Sequence, residues 1–237
     1  MRRFHVSAFA VAAVMLLPNV SSAQGGMAME GSNKVAGGGI FVPGWMGKVD
    51  ANEEKSGRTV NDAKLTKDGG VLLVTTGPAI TYWNPANKAS GDYTVKATFT
   101  EPKYMNLNDH PHPYGIVIGG NDLGTDSQSL LYCEAYGNGT FIVRGFGPAA
   151  FQVSPRRAEA NAAIHKAAGK DETVTQEIAM SVKGDKVECS INGTVVGSYD
   201  KGTVVGAGKL KSTDGVYGIR SAHNTEVRVV GLTMTKP

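Results

Sequence analysis

Residues 130–144 read LLYCEAYGNGTFIVR. Two apolar-rich runs flank Gly137-Asn138-Gly139, the turn chemistry of a β-hairpin. Loop length decides which side chains share a face. A two-residue Asn138-Gly139 loop sets Arg144 beside Leu131, Cys133 and Ala135. A three-residue loop with Gly139 left-handed groups Leu131, Cys133, Ala135, Phe141 and Val143 instead. Tyr132, Glu134, Tyr136, Ile142 and Arg144 then share the opposite face. The longer loop is the expected one, because the shorter buries a guanidinium without a partner.

The same alternation runs outward from this hairpin. Strands are expected at Gly70–Thr76, Ile80–Trp83, Tyr93–Thr100, Gly115–Gly119, Leu130–Tyr136 and Thr140–Phe146. A later set covers Thr173–Val182, Lys186–Ile191, Val195–Tyr199, Val216–Ser221 and Glu226–Thr235. In the third of these, Tyr93, Val95, Ala97 and Phe99 form one face, and Thr94, Lys96 and Thr98 the other. Turn signals such as Ser90-Gly91-Asp92, Asn192-Gly193 and Asp214-Gly215 separate the runs. Many short strands punctuated in this way predict an all-β, two-sheet antiparallel sandwich. Alanine-rich Arg156–Lys170 breaks the rhythm and reads as a short helix near 156–168 or an ordered surface excursion.

The N-terminus sets the expected compartment. Arg2-Arg3, the apolar run Phe4–Leu17, Pro18 and Ser21-Ser22-Ala23 follow the order of a secretory signal peptide. That predicts a leader over 1–23, a flexible glycine-rich lead-in over 24–39 and one sandwich domain over 40–237, secreted or periplasmic. The apolar run is shorter than the ~20 residues that span a bilayer, so no membrane insertion is expected. Removing Arg2 and Arg3 takes 24 basic residues to 22, against 21 acidic ones. Without a clustered Lys/Arg stripe, that balance argues against nucleic acid as the partner. Cys133 and Cys189 are the only cysteines. Export permits a disulfide between them, while their apolar strands suit two buried thiols equally.

Five phrases carry a family resemblance: GDYTVKATF (91–99), HPYGIVIGGNDL (112–123), the 130–144 hairpin, VKGDKVECSINGTVVG (182–197) and GVYGIRSAHNTEVRVVGL (215–232). Together they resemble the concanavalin A-like lectin/glucanase superfamily, in particular its laminin-G-like and 3-keto-disaccharide-hydrolase-like bacterial branch. The resemblance implies a jelly roll whose sheet face or rim binds a glycan or sugar-like ligand. The family's catalytic pattern does not carry over. Glycosidases place two carboxylates about 5–9 Å apart. Here Glu134 stands alone on its strand, with Tyr132 and Tyr136 where further carboxylates would sit.

The candidate ligand-binding residues are therefore Tyr132, Glu134, Tyr136 and Arg144. Aromatic rings stack on sugars, and the charged pair hydrogen-bonds hydroxyls. The alternative for that face is an ordinary exposed sheet with a Glu134–Arg144 cross-strand pair. In NDHPHPY (108–114) the prolines favour extended backbone, so His110 and His112 point the same way toward a ligand. A metal there would need further donors, with Asp109, His165 and His223 as the choices, and no spacing selects among them. No cofactor is expected, although Asn121, Asp122 and Asp126 offer oxygens of the kind calcium takes in laminin-G-like domains. Trp45 and Trp83 are assigned to the core. The expected function is carbohydrate binding without hydrolysis. Two readings compete with it: a sugar hydrolase or lyase using His110 or His112 as base and Glu134 as acid, and a structural or adhesive envelope protein.

Overall fold

The computed structural model describes Met1 and residues 31–237. The leader expected over 1–23 and the first part of the lead-in lie outside the described residues, apart from Met1. In chain order the strands are β1 (Gly39–Ile40), β2 (Met46–Val49), β3 (Lys64–Asp68), β4 (Val71–Thr75), β5 (Ile80–Ala89), β6 (Tyr93–Glu101), β7 (Tyr114–Asn121) and β8 (Ser129–Tyr136). Then come β9 (Thr140–Phe146), β10 (Ala150–Gln152), β11 (Glu159–Ala160), β12 (Val174–Lys183), β13 (Lys186–Ile191), β14 (Thr194–Asp200), β15 (Gly215–Ser221) and β16 (Glu226–Thr235). Two short helices, α1 (Ala51–Lys55) and α2 (Lys201–Val204), complete the described elements with a single 3-10 turn at Val60–Asp62.

The strands form two sheets packed face to face. The first runs β1-β3-β4-β16-β6-β12-β13-β14 and the second β10-β9-β8-β7-β15-β5-β2, with β11 also on β9. Pairing is antiparallel except between β1 and β3. The hairpin takes the expected register, with Tyr136 opposite Thr140 around Gly137-Asn138-Gly139 and Gly139 at φ 88°. Leu131, Cys133, Ala135, Phe141 and Val143 accordingly enter the inter-sheet core with Tyr93, Val95, Ala97 and Phe99 of the facing sheet. Cys133 and Cys189 are joined by a disulfide across that core, from β8 to β13.

Of the two forms expected for Arg156–Lys170, the structure takes the ordered excursion and not the helix: the segment carries β11, paired to Phe141 and Thr140, and then turns. Alanine's helix preference of a few tenths of a kcal/mol loses here to edge pairing on β9. Residues 33–39, assigned on sequence to the lead-in, are tied into the sandwich. Asn33 donates to Asn224 Oδ1, and Val35 and Gly39 donate to the carbonyls of Asp62 and Ala63.

No helix among the described residues is long and apolar enough to cross a membrane.

Val95 is fully buried. Val95→Asp would place an unpaired carboxylate between the sheets, so the variant is expected to show no cooperative thermal transition. A native-like melt would mean that this face of β6 does not look inward. The disulfide closes a loop of sequence separation 56, worth about 4 kcal/mol in lost unfolded-state entropy. Replacing both cysteines by alanine is expected to lower the melting temperature by about 10 °C. Calorimetry with an unchanged melting temperature would show that the link adds no stability.

Candidate functional site

β7 and β8 are buried on both faces, unlike a sheet with one wet side. Their outer face carries a second apolar cluster of Val117, Leu130, Tyr132 and Ile142, packed with Leu123, Tyr136, Phe146 and Ala158. At its centre lies a charge. The register places Arg220 of β15 opposite Gly115, and Gly115 opposite Glu134. Gly115 has no side chain to stand between them, so Arg220 Nε comes to 3.6 Å from Glu134 Oε1. A Cβ at Gly115 would lie 1.9 Å from the Cys133 carbonyl oxygen, so no other residue fits there.

Arg220 is 5% exposed. Its two terminal nitrogens donate to Asp50 Oδ1 and Oδ2 at 2.7 and 2.6 Å, and one also reaches Thr81 Oγ1 at 3.2 Å. The guanidinium lies over the rings of Tyr132 and Phe146, 4.8 and 5.0 Å from their centroids. Asp50 is the N-cap residue of α1, yet its side chain makes no cap hydrogen bond. Burial pushes the Glu134 carboxyl up to about 7, against the opposing pull of Arg220. Asp50, which already pairs with the one guanidinium, adds to the rise that burial causes.

Above this floor opens a groove of about 960 Å³, whose lining includes Lys48, Asp50, Glu53, Gln128, Phe146 and Ala150. His110 and His223 line it as well. His223 meets the His110–His112 loop because β7 and β15 pair antiparallel, with Tyr114 opposite Ser221. Two residues beyond each strand, His112 and His223 come face to face. Their rings stack with centroids 4.1 Å apart. His112 Nδ1 donates to the His223 carbonyl at 2.6 Å, and its Nε2 lies 2.9 Å from His110 Nε2. His110 Nδ1 is 2.5 Å from Asp109 Oδ1. Burial, and then His223 and His110, hold His112 down to about 4, so the ring is neutral. Asn108 Nδ2 donates to the Asn224 carbonyl and fastens the two loops together.

The expected site is therefore redistributed. Tyr132, Glu134, Tyr136 and Arg144 do share one face, but Tyr132 and Glu134 are buried at 5% and 2% exposure and are not open to a ligand. Arg144 does not pair with Glu134. It stands opposite Tyr132 and donates to the Arg156 carbonyl. Of the two expected histidines, His110 faces the groove and His112 backs it. His165 lies elsewhere and donates to the Thr175 carbonyl. Asp122 pairs with Lys211, and Asp126 approaches Lys48 at 3.8 Å, so the calcium-type oxygens face separate cations. Trp83, assigned to the core, is buried on the outer face, against Gly124.

No protein-family model and no curated protein matches the chain. Among solved structures it is similar to a protein of unknown function with a galectin-like fold from Bacillus subtilis, with 13% identity, 81% of this chain and 89% of that one covered, and a TM-score of 0.55. An endo-β-1,3-glucanase from Pyrococcus furiosus aligns at 12% identity over 85% of this chain and 92% of its own, with a TM-score of 0.48. The carbohydrate-binding module CBM66 from Bacillus subtilis aligns at 9% identity over 84% and 99%, with a TM-score of 0.46. The first of these likenesses carries the architecture. The two antiparallel sheets form a β-sandwich similar to that protein's galectin-like fold.

Within this sandwich, sequence reasoning missed Asp50, Phe146 and Arg220 as site residues, and named His223 only as one of three choices of metal donor. Only the β7–β15 and β7–β8 pairings reveal that Arg220 and Glu134 straddle a glycine.

Glu134 also gives a pH signature. In the folded protein it holds its proton up to about 7, whereas the unfolded side chain ionises near 4.5. The folded state thus binds the extra proton in that window, and stability falls as pH rises through it. The 2.5-unit gap, 4.5 to about 7, sets an upper limit of about 3 kcal/mol on this loss. Glu101, raised to about 7 mainly by burial, acts in the same direction. Glu134→Gln is expected to flatten the decline in urea midpoint between about pH 5 and 8. The same decline in variant and wild type would mean that Glu134 is ionised in the fold.

Proposed function

We propose that this is an exported protein that binds a glycan or sugar-like ligand in the groove and releases it uncleaved. The groove itself is the observation that carries this reading. Its volume falls within the range of small-ligand clefts, and it offers one aromatic platform, Phe146, ringed by amides, carboxylates and ammonium groups. A polyhydroxylated ring presents an apolar C–H face and hydroxyls that both donate and accept, which suits this mixture. It also lies where the superfamily resemblance puts sugar, on a sheet face and its rim. Export is supported by the signal-like order of residues 1–23 and by the Cys133–Cys189 link, which needs an oxidising compartment.

Catalysis by a histidine base and Glu134 as acid would require the two to converge. His110 lines the groove, whereas Glu134 is sealed under Arg220 and the aromatic rings. Asp50 does reach the groove, but both of its oxygens are held by Arg220.

The purified chain should retain a subset of immobilised glycans, with no product seen by mass spectrometry after incubation. Phe146→Ala is expected to weaken binding about tenfold, the equivalent of roughly 1.4 kcal/mol of lost stacking. Tyr136→Ala, outside the groove, should bind as wild type. Product formation would replace the binding reading by an enzymatic one. Failure to retain any glycan would remove the sugar assignment.

A further inference from the structure

We propose that His110, His112 and His223 form a binding site for a divalent transition-metal ion, with zinc the best fit. One ligand nitrogen from each ring lies within 4.8 Å of the others. Tetrahedral zinc with nitrogen bonds of 2.0–2.1 Å sets its ligands about 3.3 Å apart. The His110–His112 separation of 2.9 Å and the 4.8 Å outer limit bracket that value, and reorientation of the stacked His112 and His223 rings would point their nitrogens at one ion.

The neighbours of two of the rings orient them for such a role. The His223 carbonyl can only accept, so the His112 proton sits on Nδ1 and its Nε2 presents a lone pair. The Asp109 carboxylate beside His110 Nδ1 draws the proton there in the same way. Carbonyl and carboxylate partners behind imidazole ligands are the recurrent outer shell of histidine metal sites. The hydrogen bond that joins His110 Nε2 and His112 Nε2 at 2.9 Å would give way to two bonds to the ion. Imidazole donors select zinc and its transition-metal neighbours over calcium or magnesium, which take oxygen. Since His110 and His223 line the groove, a fourth coordination position would open toward its contents.

The inference is independent of the sugar reading, because metal uptake is measured without any glycan. The full chain would be expressed without a polyhistidine tag, stripped with EDTA and titrated with zinc chloride by calorimetry. One equivalent per chain is expected. His110→Ala and His112→Ala should each weaken uptake at least about tenfold, in line with the loss of one ligand. His165→Ala should bind as wild type. His112 also braces the loop, so the exposed His110 is the decisive position, its variant checked for an unchanged melt in EDTA. Cobalt should give the intense visible bands of a four-coordinate ion. Absence of saturable uptake, uptake unchanged in His110→Ala, or only the weak bands of six-coordinate cobalt would each overturn the site.

Discussion

A guanidinium sealed inside a sheet face is the constraint from which the rest of this site follows. Arg220 leaves water only because Asp50 takes both of its terminal nitrogens and two aromatic rings cover its faces. Removing one partner of such a pair typically costs about 3–5 kcal/mol, since the other charge is then buried alone. The pair spans from β15 to the residue that starts α1, so it also fixes the groove wall that α1 carries. Asp50 performs this task at the expense of capping its own helix. Glu134, arriving as a second carboxylate on an already neutralised cation, can stay buried only with a proton. Gly115 makes the triad feasible by leaving a gap between Arg220 and Glu134.

The histidine corner arises from the same pair of strands. Register along β7 and β15 does not stop at Tyr114 and Ser221, because Ala222 still donates to the Pro113 carbonyl. Pro111 and Pro113 lack N–H groups, so the ladder cannot extend fully and the two loops meet through side chains. Asn108 and His112 take over the bonding with the carbonyls of Asn224 and His223. Strand pairing, through its continuation past the sheet, thus assembles three imidazoles from segments more than a hundred residues apart.

Much of the architecture was legible because it depends on local pattern. The runs at Thr140–Phe146, Lys186–Ile191 and Glu226–Thr235 coincide with strands, and burying Arg144 without a partner was reason enough to choose the hairpin register. Short edge strands such as β1, β10 and β11 lack enough residues to show alternation. The outer face was grouped correctly, yet its exposure was not readable. Leu123 and Ala158 cover it from separate loops, Phe146 from the end of β9, and no single window of sequence contains that packing. Arg220 illustrates the limit most clearly: in GVYGIRSAHNTEV it reads as the polar side of a strand. Only with Glu134 two strands away does it become the centre of a site.

The charge arrangement also bears on what the groove can do. For Asp50 to serve as base or nucleophile, it would have to release a guanidinium that has no water to replace it. Glu134 faces the same cation from a position that a ligand in the groove does not reach. The floor's charges are thus committed to holding the fold. Lys48 pairs with Glu54 and Glu53 accepts from Ser32, so the rim too is partly bonded within the fold, and it offers a ligand hydrogen bonds. Under the proposed reading, a self-neutralised floor beneath a polar rim suits recognition. It leaves the imidazole corner as the place where a Lewis acid would add chemistry that the carboxylates cannot.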